Sequence, residues 1–201
     1  MRLGIFGGTF DPVHYGHLLL AECCREQCQL DRVWFLPNTV SPLKQSVEIA
    51  PAAHRVEMLS LAIAGHSAFE VCRYEIDRGG VNYTVDTLSH LHEQDPSREL
   101  FFLMGGDSLA DLPNWRDPAR ICDLATPVVV QRPGMAALDF DALRSVLSAG
   151  QIEAIIGHVV EMPRMDLSAR EMRRLVAEGR SIRYRTPRAV EQYIATHGLY
   201  R

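Results

Sequence analysis

The feature that most constrains the fold is the alternation of short apolar runs with longer segments of helical periodicity along the chain. Short apolar runs suit strands that are buried on both faces, and the helical segments suit crossovers between parallel strands. The pattern predicts an α/β fold: a Rossmann-like, doubly wound, mostly parallel sheet with helices on both faces. We expect one domain over residues 1–201, with a small C-terminal helical part, about 166–201, packed on it.

The same pattern places the individual elements. Strands are predicted at residues 2–6, 32–36, 69–72, 100–104, 128–131 and 154–156, and helices at 16–28, 53–64 and 85–93. Ser168 followed by Glu171 predicts a capping box, and Pro187 after Thr186 is predicted at the first position of a helix. Residues 37–51 read as a long loop, and 132–150 are weakly patterned.

Composition narrows the function classes. The net charge of −4 argues against broad nucleic-acid binding, although a local pocket can still be positive and hold a small anion. No apolar run has the length of a signal-peptide core or a membrane span, so a cytoplasmic protein without a membrane partner is expected. Five cysteines without framework spacing fit reduced thiols. Cys24 and Cys28 lie one helical turn apart, which leaves both a metal or redox role and simple burial open.

The strongest chemical signal is the turn between the first predicted strand and the first predicted helix. This first turn, residues 7–17, reads Gly-Gly-Thr-Phe-Asp-Pro-Val-His-Tyr-Gly-His. In an open α/β sheet, ligands bind beyond the carboxyl ends of the strands. Gly7 and Gly8 let the backbone turn and approach a phosphate, and a helix starting near Gly16 directs backbone N–H groups at the same point.

The first turn matches neither the P-loop pattern nor the G-x-G-x-x-G pattern. It carries His14 and His17, whose spacing places both on one face of the helix start. A metal site would need further ligands, and a structural role is also open. The favoured hypothesis is anion stabilisation, because imidazoles can donate hydrogen bonds to phosphoryl oxygens. A phosphate acceptor needs no activated protein nucleophile, since its own oxygen can attack a phosphorus in line.

This segment resembles the H-x-G-H signature of the nucleotidylyltransferase superfamily. The resemblance implies that the histidine pair contacts the triphosphate and that Mg²⁺ is carried by the ATP phosphates, with no metal ligands from the protein. The ATP contacts it implies in the first turn are Gly7, Gly8, Thr9 and Phe10.

Lys44 is the only lysine beside twenty arginines. A surviving lysine can mark a site that needs a compact ammonium group, with chance under a codon bias as the alternative. Residues 37–44, Pro-Asn-Thr-Val-Ser-Pro-Leu-Lys, are similar to the acceptor loop of nicotinate mononucleotide adenylyltransferases. That resemblance implies that Asn38 and Lys44 address the acceptor phosphate and its surroundings. Leu43 stands where the family usually has His.

A third segment, residues 75–88, resembles the family's E-I-x-R…S-Y-T-x-x-T-L motif, with Asn82 in place of Ser. The resemblance implies acceptor contacts at Tyr83 and Thr84. Thr84 is expected to cap the following helix and to leave its N–H groups for a carboxylate, such as that of nicotinate. A cap without a ligand is the alternative.

Two further segments follow in the family's order. Gly105 and Asp107 correspond to residues that lie beside the ribose in the family. Trp115 corresponds to a residue that stacks on the pyridine ring, and the alternative is that it is a core aromatic. Residues 166–173 stand in the place of the I-S-S-T-x-x-R motif. Ser168 and Arg173 match it, which implies a cradle for the β- and γ-phosphates, whereas Ala169 and Arg170 depart from it.

The whole pattern implies an enzyme that transfers the adenylyl group of ATP to nicotinate mononucleotide, giving deamido-NAD and pyrophosphate in NAD biosynthesis. The catalytic residues it implies are His14, His17, Lys44 and Arg173. The alternatives are pantetheine-phosphate adenylyltransferase, a cytidylyltransferase, and a nucleotide sensor without turnover. The pattern leaves open the choice between nicotinate and nicotinamide mononucleotide, and also the oligomeric state.

Overall fold

The computed structural model describes residues 1–39, 49–131 and 137–201. Within these ranges the chain forms one six-stranded sheet in the order β3-β2-β1-β4-β5-β6, and every neighbouring pair is parallel. The strands are β1 Arg2–Gly8, β2 Arg32–Pro37, β3 Phe69–Val71, β4 Glu99–Gly105, β5 Thr126–Gln131 and β6 Val159–Glu161. The predicted Rossmann-like α/β fold is confirmed. The strand order reverses between β1 and β4, and such a switch point opens a crevice for a ligand.

Helices cover both faces of the sheet. They are α1 Tyr15–Gln27, α2 Ala52–Ile63, α3 Tyr74–Arg78, α4 Thr84–Gln94, α5 Gly106–Asp111, α6 Pro118–Leu124, α7 Ala149–Ile156, α8 Ala169–Ala177 and α9 Arg188–Thr196. Short 3-10 turns lie at Leu112–Asn114 and Ala142–Ser145. Along the described chain, no helix combines the length and the apolar character needed to cross a membrane.

Alternating side chains of the central strands build two core layers. In β4, Phe101 and Leu103 belong to the layer that contains buried residues of α1, α2, α8 and α9. Phe102 and Met104 point to the other layer, which α4, α6 and α7 complete. The C-terminal helices therefore bury their apolar residues in the same layer as α1, the helix that follows the first turn.

The strand predicted at 154–156 is wrong, because these residues form the end of α7. Ser148 and Gln151 form a reciprocal capping box that starts this helix, and Ile152 and Ile155 are buried on one side of it. The sixth strand is β6, a few residues later. A short apolar run does not by itself distinguish a strand from a buried helical turn.

The starts of α8 and α9 also differ in detail from the predictions. Pro187 precedes α9 instead of occupying its first position, and the Thr186 hydroxyl donates to the Val13 carbonyl at 2.8 Å. Ser168 accepts a hydrogen bond from the Glu171 N–H at 3.5 Å, which is one half of the predicted capping box. The Glu171 carboxylate instead accepts hydrogen bonds from the Arg174 guanidinium, the shorter at 2.7 Å.

Candidate active site

The histidine pair lies at the start of α1. The rings of His14 and His17 are stacked with centroids 3.7 Å apart and planes 21° apart. The backbone N–H of His14 donates to Nδ1 of His17 at 3.3 Å. Because Nδ1 accepts this bond, the proton of a neutral His17 ring is on Nε2, which makes Nε2–H the donor of the ring.

Close packing explains why the first turn contains small residues. A Cβ on Gly8 would lie 2.9 Å from Cζ of Phe10, and a Cβ on Gly16 would lie 3.0 Å from Nδ1 of His14. Phe10 itself has a positive φ of 49°, and only 2% of its surface is exposed. The Phe10 ring therefore belongs to the core, so a contact of this residue with ATP would have to come from its backbone.

The two histidines differ in burial. His14 is 5% exposed, whereas His17 is half-buried, and the centroids of the His17 and Phe10 rings lie 5.1 Å apart with the planes at 73°. Contacts with the rings of Phe6, Phe10 and His14 hold the His17 ring in place. Of the two rings, that of His17 has the greater access to a ligand.

A cavity of about 530 Å³ lies beside the first turn, at the carboxyl ends of the central strands. The predicted site residues that line it are Gly7, Gly8, Asn38, Tyr83, Thr84, Asp107 and Trp115. Gly105 is the last residue of β4 and precedes Asp107 by two positions in the sequence. The predicted residues that the structure describes outside this lining are His14, His17, Thr9, Phe10, Gly105, Ser168 and Arg173. Lys44 lies outside the described residues.

Two polar atoms in the cavity's lining residues are buried without a hydrogen-bond partner in the described parts of the chain. They are Nε1 of Trp115, a donor, and Oδ1 of Asn38, an acceptor. The indole ring of Trp115 meets Phe102 edge-on, with centroids 5.9 Å apart. Buried polar atoms are normally paired, so these two favour a polar ligand beside them.

Hydrogen bonds of Asn82 connect two segments of the chain that line the cavity. Its Nδ2 donates to Oγ1 of Thr39 at 3.1 Å and to the Glu75 carbonyl at 3.2 Å, and its Oδ1 accepts from Arg78 at 3.2 Å. Thr39 in turn donates to the Gly80 carbonyl at 2.6 Å. These bonds connect the residues that follow β2 with the loop between α3 and α4. A serine side chain at this position is too short to make all of them.

We expect Asn82→Ala to reduce the free energy of unfolding by about 2 kcal/mol, because a buried side chain loses several hydrogen bonds. The KM for the acceptor should rise several-fold, since both tied loops line the cavity. Asn82→Ser, which introduces the residue common in the family, serves as the matched control. Its stability and its acceptor KM should lie between those of the wild type and of Asn82→Ala. Thermal unfolding and steady-state kinetics measure both effects. An Asn82→Ala variant with wild-type acceptor KM would contradict this role.

The start of α4 differs from the expectation. Thr84 is the first helical residue and Tyr83 occupies the N-cap, with no side-chain cap hydrogen bond from it. The predicted capping role of Thr84 is therefore wrong, because a residue with helical backbone angles is past the capping position. The N-terminal end of α4 still borders the cavity, since Tyr83 and Thr84 both line it.

Several cavity residues were not predicted as site residues. They include Glu75, Asp111, Asn114 and Arg116. Glu75 is 8% exposed and accepts a hydrogen bond from Oγ1 of Thr87 at 2.8 Å, and burial raises the pKa of its carboxyl group. Arg116 lies over the Tyr83 ring at 4.9 Å. Glu75 could have been found, since it begins the matched E-I-x-R segment, whereas Arg116 carries no separate signal in the sequence.

Arg173 comes to the first turn from α8. Its Nη1 donates to the backbone carbonyl of Asp11 at 2.7 Å and lies 3.7 Å from Oδ2 of the same residue. Ser168, the N-cap of α8, is exposed. Within the described ranges, no group of three or more His, Cys, Asp or Glu side chains is arranged to hold a metal ion.

The parallel sheet, the two glycines that end β1 and the paired histidines are the features in which this chain resembles the nucleotidyltransferases, and the comparisons with known proteins agree with this class. Residues 5–175 match the family model described as Cytidylyltransferase-like. A relative from Thermomicrobium roseum is 48% identical over 200 residues, which is 100% of this chain and 92% of the relative. One from Roseiflexus sp. (strain RS-1) is 49% identical over 199 residues, covering 99% of this chain and 98% of the relative.

Both relatives carry the description "Probable nicotinate-nucleotide adenylyltransferase". The chain belongs to the nicotinate-nucleotide adenylyltransferase family. A solved structure, Plasmodium falciparum nicotinic acid mononucleotide adenylyltransferase complexed with NaAD, is similar with a TM-score of 0.77. It is 17% identical and the match covers 99% of this chain and 97% of that one, so the likeness concerns the fold.

Proposed function

We propose that this chain transfers the adenylyl group of ATP to nicotinate mononucleotide, giving deamido-NAD and pyrophosphate. An oxygen of the acceptor phosphate attacks the α-phosphorus of ATP, and the bond between the α-phosphorus and the bridging oxygen to the β-phosphate breaks. The observation that carries the proposal is the position of Gly7 and Gly8, which end β1 in extended conformation instead of forming the predicted turn themselves. Gly7 and Gly8 line the cavity and also lead into the turn that holds His14 and His17. An acceptor in the cavity would therefore meet a triphosphate beside these two glycines.

The triphosphate would bind along the first turn. His17 would donate from Nε2 to oxygens whose charge grows as pyrophosphate leaves, and His14 would act with it. The backbone of residues 7–10 would approach the phosphates, while Ser168 and Arg173 would bring the N-terminus of α8 and a guanidinium to the β- and γ-phosphates. Gly105 and Asp107 would lie beside the ribose, where the carboxylate can accept hydroxyl hydrogen bonds.

The acceptor would occupy the cavity beside this turn. Trp115 offers an indole face for the pyridine ring, and the N-terminus of α4 at Tyr83 and Thr84 suits the nicotinate carboxylate. The side chain of Asn38 and the ammonium group of Lys44 would bind the acceptor phosphate. A cavity of about 530 Å³ is in the range of small-molecule sites.

The metal in this proposal is Mg²⁺, bound through the phosphates of ATP. The histidine rings and backbone N–H groups of the first turn suit phosphate oxygens, whereas Mg²⁺ prefers oxygen ligands and keeps several waters. This donor set fits an ion that arrives with the nucleotide. When bound, Mg²⁺ would neutralise part of the phosphate charge.

We further propose that the protein works in the cytoplasm. All five cysteines are free thiols in the structure, including Cys24, whose burial raises the pKa of its thiol. Such thiols fit a reducing compartment.

A pyrophosphate-release assay with ATP tests the proposed function. The acceptor panel consists of nicotinate mononucleotide, nicotinamide mononucleotide, phosphopantetheine and glycerol phosphate. We expect the highest kcat/KM with nicotinate mononucleotide. Turnover with phosphopantetheine alone, or with none of the four, would contradict the proposal.

Lys44→Arg should raise the acceptor KM by about tenfold, because a planar guanidinium does not replace a compact ammonium at a phosphate. Arg164→Lys, the reverse exchange at an exposed position, is the matched control and should leave the kinetics unchanged. Steady-state assays with varied acceptor measure the difference. Equal kinetics in both variants would show that the single lysine is incidental.

A further inference from the structure

Asp11 is a buried carboxylate in the middle of the first turn, with 1% of its surface exposed. Its Oδ1 accepts hydrogen bonds from the Tyr200 hydroxyl at 2.5 Å and from the Ala50 N–H at 3.3 Å. Its Oδ2 lies 3.7 Å from Arg173, which also donates to the Asp11 carbonyl. Four separated parts of the chain therefore meet at one residue of the turn.

Arg55 supports the same turn from α2. Its side chain is 1% exposed, and it donates to the Thr9 carbonyl at 2.8 Å and to the Ala50 carbonyl at 3.0 Å. Burial lowers the pKa of this guanidinium, and the negative charge of Asp11 opposes that shift. A buried cation is tolerated when it is paired and hydrogen-bonded, so Asp11 stabilises Arg55 as well as Arg173.

Tyr200 follows α9 and is the neutral member of this cluster. Burial, together with the hydrogen bond to Asp11, raises the pKa of its hydroxyl group, so the phenol stays protonated and acts as the donor. A hydrogen bond from a neutral hydroxyl to a carboxylate is charge-assisted and stronger than a neutral pair. Tyr200 thereby holds the Asp11 carboxylate in place beside Arg173.

We propose that Tyr200 is a positioning residue for ATP: its hydrogen bond to Asp11 holds the first turn and Arg173 in the arrangement that receives the triphosphate. The inference rests on the proposed site for ATP at the first turn. The turn needs such support because Phe10, next to Asp11, has a backbone conformation that residues other than glycine rarely adopt. Without the hydroxyl, Asp11 can move towards Arg173 and change the direction of that guanidinium.

The test compares Tyr200→Phe with Tyr193→Phe. The second variant is the matched control, because Tyr193 also loses one hydroxyl hydrogen bond, to Nδ1 of His54 at 2.9 Å, and this bond lies outside the first turn. We expect Tyr200→Phe to raise the KM and the Kd for ATP about three- to tenfold and to leave the acceptor KM within about twofold. Tyr193→Phe should leave both KM values unchanged while lowering Tm by a smaller amount, because its hydrogen bond involves no carboxylate.

Three results would overturn the inference: a Tyr200→Phe variant that loses Tm only, equal rises in both KM values, or an equal rise in ATP KM with Tyr193→Phe. A double-mutant cycle with Asp11→Asn adds a second measurement. In the Asp11→Asn background, the effect of Tyr200→Phe on ATP binding should shrink, and a full effect there contradicts the role of Asp11. ATP affinity is measured by calorimetry without acceptor, so failure of the acceptor reaction is distinguished from failure of this inference.

Discussion

His17→Asn should lower kcat by about 10²–10³-fold and change the KM for ATP much less. The asparagine Oδ1 can take the place of Nδ1 and continue to accept the hydrogen bond from the His14 N–H. It has no counterpart of Nε2, the donor that we assign to the departing pyrophosphate. The variant therefore removes the catalytic group while keeping the local contact that the ring makes at the start of α1.

His197→Ala is the control for this variant. Its ring stacks on Tyr193 at 4.0 Å and is exposed, so removing it should leave kcat unchanged. Single-turnover measurements at saturating ATP separate the chemical step from product release. A His17→Asn protein with wild-type kcat would mean that the imidazole is structural.

Trp115→Ala should raise the KM for the acceptor by about tenfold or more, the effect expected for loss of a stacked aromatic base. The KM for ATP should change little, because Trp115 lines the cavity and not the first turn. Trp115→Phe keeps a smaller ring, and its acceptor KM should lie between those of the wild type and of Trp115→Ala. Steady-state kinetics with each substrate varied in turn measure these effects.

The second tryptophan allows a direct control. Trp34 donates from Nε1 to Glu70 at 3.0 Å and is not part of the cavity lining. Trp34→Phe should keep wild-type kinetics and leaves Trp115 as the only tryptophan. Acceptor binding should then quench the remaining fluorescence. Unchanged fluorescence at saturating acceptor would place the pyridine ring away from Trp115.

Local sequence signals located most of the elements that form the site. The apolar runs of β1, β2 and β4 and the helical period of α1 depend on neighbouring residues, so their positions could be predicted within a few residues. The histidine pair was predicted for the same reason, since it lies in one continuous motif. Gly7 and Gly8, which were predicted to let the backbone turn, are instead the last two residues of β1, and the turn begins after them. The error at 154–156 arose where a short apolar run fits two kinds of element.

The contacts around the first turn could not be predicted in this way. Asp11 and Tyr200 are 189 residues apart, and nothing near either of them indicates the other. Arg55 gave a partial signal, because it lies on the same side of α2 as buried Met58 and Leu59, where a charge needs a buried partner. The identity of that partner depends on how α2, α8 and the segment after α9 pack together.

The sequence by itself determined the class of fold, the family and the position of the histidine pair, because hydrophobic periodicity and contiguous motifs are local properties of the chain. Only the tertiary structure decided that Nδ1 of His17 accepts a backbone hydrogen bond, that Phe10 belongs to the core, and that Asp11 joins its own turn to three distant segments. Hydrogen bonds and burial of this kind depend on the distances between side chains that are remote in sequence, and folding alone sets those distances.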